Sequence, residues 1–302
     1  MGADTSIEWA THTFNPWRGC AKVSTGCANC YAETMAKRTG IHGTWGKDGE
    51  RVVSSDAYWR QPIKWNRDAA REGVRRRVFC ASMADVFEDR RDLDGPRERL
   101  YGLIEATPNL DWLLLTKRPE NAARLFDWSV LGCFDADEWP PNVWLGTSAE
   151  NQATADERIP HLLAVPAAVR FLSVEPLLGP VDLMPWLDEE GYDAPGDGGE
   201  VRPLPAVDWV IVGGESGPGA RPCDVAWIRS VRDQCREAGT PCFVKQLGAV
   251  PLEFRRVVGK EHGTPFSMAA ANLRLRDPKG GDMAEWPEDL RVREFPRGGD
   301  RV

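Results

Sequence analysis

Residues 112–119 read Trp-Leu-Leu-Leu-Thr-Lys-Arg-Pro. Four apolar residues are followed at once by a hydroxyl and two cations. The run does not alternate with polar residues, so it reads as a short strand covered on both faces. The same order of apolar run and polar motif recurs on either side of it. Arg77-Val-Phe-Cys80 leads to Ser82-Met-Ala-Asp85, and Val143-Trp-Leu145 leads to Gly146-Thr-Ser-Ala-Glu150-Asn-Gln152. Val169-Arg-Phe-Leu172 leads to Ser173-Val-Glu175-Pro176, Trp209-Val-Ile-Val212 to Gly213-Gly-Glu-Ser-Gly217, and Cys242-Phe-Val244 to Lys245-Gln246. A seventh run lies near Thr11–Phe14.

Helical stretches fit between most of these runs. Asp94-Gly-Pro96 opens one, with Pro in the first turn, and it continues through Leu100, Leu103 and Ile104. Asp224 is the expected N-cap of another, with Val225, Ile228, Val231 and Cys235 on one face and Gly239 as its end. Strands alternating with helices imply parallel pairing through right-handed crossovers. The expected fold is α/β: a parallel (β/α) barrel of the TIM type, partial or complete, with a Cys-rich loop after the first strand. Residues 1–250 are expected to form this barrel domain, with a Gly-, Pro- and Asp-rich surface insertion at about 188–205. Residues 251–302 are expected to form a C-terminal extension, in which Phe254, Val257 and Val258 suggest one more strand; the stretch after Asp277 is polar and Gly/Pro-broken, which fits either a wrap around the domain or partial disorder. The segment from about Gly40 to Ser55 reads as a loop over the site.

In a parallel barrel the C-terminal ends of the strands form one rim, where sites are built. The motifs above bring Asp85, Lys117, Glu150, Glu175, Glu215 and Lys245 to that rim as candidate catalytic residues. Ser82, Arg118, Ser173, Gly213, Gly214 and Ser216 are candidates for cofactor contact. Three of eight cysteines, Cys20, Cys27 and Cys30, crowd into one loop with spacing Cys-x6-Cys-x2-Cys. Three soft thiolates so close in sequence suit an iron–sulfur cluster with one open iron, or a zinc with a fourth ligand from elsewhere, such as His12 or His42. Gly19 and Gly26 let the backbone fold closely there.

The Gly19-Cys20…Gly26-Cys27-Ala-Asn-Cys30-Tyr-Ala32 segment resembles the cluster loop of the radical S-adenosylmethionine (radical SAM) superfamily. The usual spacing there is Cys-x3-Cys-x2-Cys; here the first gap is six, and Asn29 stands where an aromatic residue precedes the last cysteine. The chain over about residues 6–248 also resembles a phage and prophage family of three-Cys-motif proteins. The matching stretches include Ser82-Met-Ala-Asp-Val-Phe87, Leu115-Thr-Lys-Arg-Pro119, Ser173-Val-Glu-Pro-Leu-Leu-Gly-Pro180 and Phe243-Val-Lys-Gln246. The superfamily resemblance implies that Cys20, Cys27 and Cys30 hold a [4Fe–4S] cluster whose fourth iron chelates S-adenosylmethionine. It implies a 5′-deoxyadenosyl radical that takes hydrogen from a substrate, and an electron donor such as a flavodoxin or ferredoxin. Asp85 or Glu175 would suit the ammonium of the cofactor, and Lys117 or Arg118 its carboxylate. Gly213-Gly-Glu215 resembles the superfamily's Gly-Gly-Glu motif, but follows about the sixth strand rather than the second. The phage setting points to a nucleotide or nucleic acid as substrate, with a protein partner encoded nearby.

Two other readings use the same residues. In one, Asp85, Glu150, Glu175 and Glu215 bind Mg²⁺ or Mn²⁺ for hydrolysis or nuclease chemistry, and zinc sits on the cysteines. In the other, a zinc-stabilised nucleic-acid-binding protein uses Arg18, Lys22 and the run Arg71, Arg75, Arg76, Arg77. The charge balance, 38 basic against 46 acidic for a net −8, argues against a protein that coats nucleic acid by charge alone. The composition, 42% hydrophobic and 28% charged, is globular. No apolar run reaches the ~20 residues of a bilayer span, and Met1–Ser6 has no signal-peptide pattern. A cytoplasmic chain without a membrane partner is expected.

Overall fold

Alternate side chains of a strand point to opposite faces, and here both faces of each run are apolar. In the computed structural model, which describes residues 5, 7–40, 43–126, 139–187, 206–257 and 267–296, the runs join into one seven-stranded sheet. Its strands are β1 (His12–Thr13), β2 (Arg76–Cys80), β3 (Leu110–Thr116), β4 (Val143–Ser148), β5 (Val169–Val174), β6 (Trp209–Gly213) and β7 (Cys242–Gln246). They are hydrogen-bonded in chain order and every pair is parallel. A doubly wound sheet reverses its order at a switch point; this one never does. It is a barrel sheet left open, since β1 and β7 have no ladder between them among the described residues.

The curl of the sheet is visible in one side chain. The Trp9 ring lies 4.7 Å from Phe79 on β2 and 6.2 Å from Trp209 on β6. Strands four places apart in a flat sheet would be about 19 Å apart, so the two edges have rolled toward Trp9. The inner face carries Phe79, Leu113, Trp144, Phe171, Trp209, Ile211 and Phe243, all buried. The alternate residues, among them Val78, Trp112, Leu114, Leu145, Leu172, Val210 and Val244, face outward into the main core. At ~1.5–3 kcal/mol per fully buried large side chain, both layers contribute to holding the sheet.

Among the described residues five longer helices accompany the sheet: α1 (Tyr31–Arg38), α2 (Gln61–Glu72), α3 (Asp94–Glu105), α4 (Gln152–Leu163) and α5 (Val225–Ala238). Helix α5 follows its sequence signals. The Asp224 carboxylate accepts from the Ala226 amide, Val225, Ile228, Val231 and Cys235 are buried, and Gly239 closes the helix at φ +73°. Helix α4 starts with a reciprocal cap between Asn151 and Thr154.

Several strands run further than their apolar cores. Thr116, Thr147, Ser148, Ser173 and Gln246 are strand residues, so the first polar residues of the motifs sit on the sheet itself. The Gly40–Ser55 loop contains a two-residue strand, Val52–Val53, antiparallel to Trp17–Arg18. The expected strand near Phe254 spans Pro251–Val257. It pairs with Ser267–Asn272 and with Cys223–Asp224, outside the seven-stranded sheet; Val258 and the insertion at 188–205 lie outside the described residues.

The stretch after Asp277 packs back on the barrel. Val244 donates its amide to the Val292 carbonyl and Glu294 donates to Cys242, at 2.9 and 2.8 Å. Phe295 lies against Trp209 and Phe243, the Arg77 guanidinium stacks on it at 4.0 Å, and Arg293 pairs with Glu8 at 2.8 Å. This strap lies between β7 and the segment that precedes β1. The basic run proposed for nucleic acid is consumed in the same way: Arg75 pairs with Asp111, Arg76 with Glu72, Arg71 with Asp68, and Arg77 is held by Phe295.

Candidate active site

Each strand that ends on the inner face carries its alternation one step past the aromatic floor. The sequence Leu113-Leu115-Lys117 on β3 and beyond, Trp144-Gly146-Ser148 on β4, and Phe243-Lys245 on β7 therefore climb from apolar to polar on one side of the sheet. Ladder pairs Leu113 with Trp144 and Leu115 with Gly146 fix this layering. Above the floor a cavity of about 890 Å³ opens. Cys20, Cys27 and Cys30 all line it, with Ser82, Asp85, Lys117, Ser216 and Lys245 of the expected rim set.

The cysteine loop is folded by two glycines. Gly19 has φ +112°, and a Cβ there would sit 2.4 Å from the Thr44 carbonyl. The Gly46 amide donates to the Cys20 carbonyl, which brings Trp45 to the cavity wall. A Cβ on Gly26 would sit 2.3 Å from a carboxylate oxygen of Glu150. The glycine that was expected to wrap ligands instead lets the loop touch the rim.

Three rim groups hold this loop. One terminal nitrogen of the Arg118 guanidinium donates to the Ala21 carbonyl at 2.8 Å, and the other donates to Asp85 at 2.8 Å and approaches the Cys20 Sγ at 3.7 Å. Glu150, fully buried, accepts from Ser24 at 2.8 Å and from Arg158 at 3.1 Å. Glu215 accepts from the Asn29 amide at 3.0 Å and is clamped by Arg221, whose guanidinium also donates to the Thr25 carbonyl at 2.9 Å. Asn29, the residue that replaces an aromatic in the spacing, is thus the loop's tie to the sixth strand end.

Electrostatics follow from these contacts. Burial, with Asp85 and Glu88 adding to it, pushes the Cys20 thiol up to about 12, against an opposing pull from Arg118. Binding of a metal there must release a proton. Burial works against the charge on Arg118, but Asp85 and Cys20 outweigh it and hold the guanidinium protonated. Burial raises Glu215, while the hydrogen bonds from Arg221 and Asn29 bring it below the usual carboxylate range.

The expected catalytic residues therefore divide. Asp85 accepts from Phe87, Thr116, Lys117 and Arg118, which fills both oxygens. Glu175 takes both oxygens' bonds from Lys245 at 2.8 and 2.9 Å and a third from Gln246, and stands behind these two on the wall. Asp85, Glu150, Glu175 and Glu215 each pair with a cation. Among the described residues no three His, Cys, Asp or Glu side chains stand together for one ion, the three cysteines and the four carboxylates alike. His12 stacks on Trp65 at 4.3 Å inside the fold, far from a ligand's role, and His42 lies outside the described residues. Gly213 and Gly214 serve backbone contact: a Cβ on Gly214 would sit 2.4 Å from the Leu247 carbonyl. Ser173 is buried on β5 beside Ser148. The Lys117 ammonium donates to Ser148 at 3.0 Å and lies 3.9 Å from a Glu150 carboxylate oxygen, on the cavity side.

Some lining residues were not among the site candidates read from the sequence. Tyr31, Met35 and Trp45 form an apolar side wall, and Asp277, Lys279 and Asp282 arrive from the C-terminal segment.

Together these features define an open parallel α/β half-barrel whose C-terminal rim braces a three-cysteine loop over a cavity. The chain belongs to the family described as "protein of unknown function (DUF5131)", which matches residues 4–270. No curated protein matches it. Among solved structures it is similar to spore photoproduct lyase complexed with dinucleoside spore photoproduct, at 15% identity and TM-score 0.42, covering 78% of this chain and 63% of that one. A substituted form of that lyase with bound AdoMet and dinucleoside spore photoproduct gives 17% identity and TM-score 0.40, over 57% of this chain and 48% of the other. The chain spans between 48% and 63% of the length of these solved structures. Among the described residues no helix is long and apolar enough to cross a membrane.

Proposed function

We propose that this chain is a radical SAM enzyme acting on a nucleotide or nucleic-acid substrate. The observation that carries the reading is that Cys20, Cys27 and Cys30 all line one large cavity at the strand ends. The donor set fits a [4Fe–4S] cluster: three soft thiols on one loop, with His12 stacked on Trp65. Bound there, the cluster and S-adenosylmethionine would supply a 5′-deoxyadenosyl radical for hydrogen abstraction.

The chain's own residues do the positioning. Arg118, Glu150 and the Glu215–Arg221 pair hold the loop so that its thiols face inward. Arg118 also balances the negative charge that deprotonated thiols bring. With Arg118 committed to the loop, Lys117 is the rim cation for the carboxylate of the cofactor, steadied by Ser148. Asp85 and Glu175 are filled by their own partners, so neither takes the ammonium. Leu115 and Phe79 floor the cavity, and Tyr31, Met35 and Trp45 wall it, which limits water around the reacting atoms. An external one-electron donor of the flavodoxin or ferredoxin kind is required.

Anaerobic reconstitution tests this. About four iron and four sulfide per chain are expected, with cleavage of S-adenosylmethionine to 5′-deoxyadenosine on reduction. Cys27→Ala should remove both. One tight zinc without sulfide would sink the proposal.

A further inference from the structure

The family match ends at residue 270, yet Asp277, Lys279, Gly281 and Asp282 line the same cavity as the cysteines. This loop is built to stay there. Asp277 accepts from the Lys279 and Gly281 amides, a self-contained turn. Gly280 holds φ +64°, and a Cβ there would lie 2.5 Å from the Gly248 carbonyl. The Gly280 carbonyl accepts from the Leu247 amide and from the Trp286 indole, each at 2.9 Å. The turn is thereby docked just past β7, next to the rim end that carries Lys245 and Gln246.

Its charges are unequal in availability. Asp277 is spent on its own turn, and Asp282 caps Ala284. Glu8 pairs with Arg293, Asp85 with Arg118, and Lys245 with Glu175. Lys279 is exposed and has no ion pair among the described residues. An ammonium is a compact point charge that donates to a phosphoryl group from many directions, whereas a guanidinium binds carboxylate or phosphate as a bidentate fork. The rim arginines 118, 158 and 221 are all taken by carboxylates. We infer that the 277–282 turn is the substrate-side wall of the cavity and that Lys279 binds a phosphate group of the substrate. The inference deepens the proposed function and rests on it for the cavity being the reaction chamber.

The test is calorimetry on the anaerobically reconstituted full chain, with uridine 5′-monophosphate and uridine as probes, which share no base with S-adenosylmethionine. The wild-type chain should bind the monophosphate more tightly than the nucleoside, and the difference should shrink as salt rises. Lys279→Gln should weaken the monophosphate about tenfold or more. It should leave uridine, S-adenosylmethionine and iron content unchanged, and Lys279→Arg should restore part of the loss. Lys64→Gln, on the exposed side of α2, should change nothing. Equal affinity of the wild type for both probes, or a Lys279→Gln variant that keeps the monophosphate, overturns the inference. Failure of the cluster reading is separate: it appears as missing sulfide and no cofactor binding, whatever the probes do.

Discussion

At Gly26 a hydrogen in place of a methyl decides whether the loop can rest on Glu150. The carboxylate is pinned by Arg158 and Ser24 and fully buried, so it cannot swing away. Gly26→Ala should therefore lift the loop and cut reconstituted iron to well below half of wild type, measured per chain after desalting. Gly102 on α3 has open space where its Cβ would be, so Gly102→Ala should keep full iron and stabilise by about 0.5–1 kcal/mol. Equal iron in both variants would show that loop and rim are not coupled. The cysteines were legible in the sequence because their spacing is local. The work of Glu150 and Glu215 was not, because their partners Ser24 and Asn29 lie 126 and 186 positions away. A carboxylate after a strand reads the same whether it meets a ligand or a loop.

Helices and strands were legible in different degrees. Helix α5 carried a cap, an apolar face and a stop, and it forms between them; Asp224→Ala should cost about 1 kcal/mol in denaturant unfolding. The strands were found, but their ends were set too early. Hydropathy stops at Leu115 and Leu145, whereas the backbone ladder continues through Thr116 and Ser148 because ladder hydrogen bonds do not depend on side-chain polarity. The same helix also meets the C-terminal segment through Asp289, which pairs with Arg229 and Arg232. Burial raises the Asp289 carboxyl, but the two arginines outweigh it and hold its pKa below the usual value. A carboxyl lowered in the folded state stabilises fully above its unfolded pKa of about 3.9 and loses that contribution as pH falls through the lower folded value. Asp289→Asn should therefore reduce stability near neutral pH and leave it nearly unchanged in acid below that value. Partial exposure keeps the difference small. A constant difference from pH 7 down to the acid limit would count against the pairing.

Over the whole molecule, the open barrel depends on a segment with no readable period. Trp286, Leu290, Val292 and Phe295 are isolated among polar residues, so no helical or strand pattern announced them, and the sequence left two readings of the stretch open, a wrap around the domain or partial disorder. Their partners, β7 and the aromatic floor, exist only once the sheet has curled. Trp286 is 2% exposed, and its indole donates to Gly280, the residue that docks the cavity turn. Its loss should act at two levels. Trp286→Ala should cost about 3–5 kcal/mol for the emptied space, and with a few degrees per kcal/mol in a chain of this size the melting temperature should fall by about 10 °C. Trp286→Phe keeps most of the packing but leaves one acceptor bond of Gly280 unmade, for about 1 kcal/mol. Both should speed protease cleavage within 277–282, the alanine variant more, while leaving protection of α5 in Trp286→Phe close to wild type. If Trp286→Phe melts lower yet keeps the turn as resistant as wild type, the indole is a core filler and the turn is held by Leu247 and Gly248 alone.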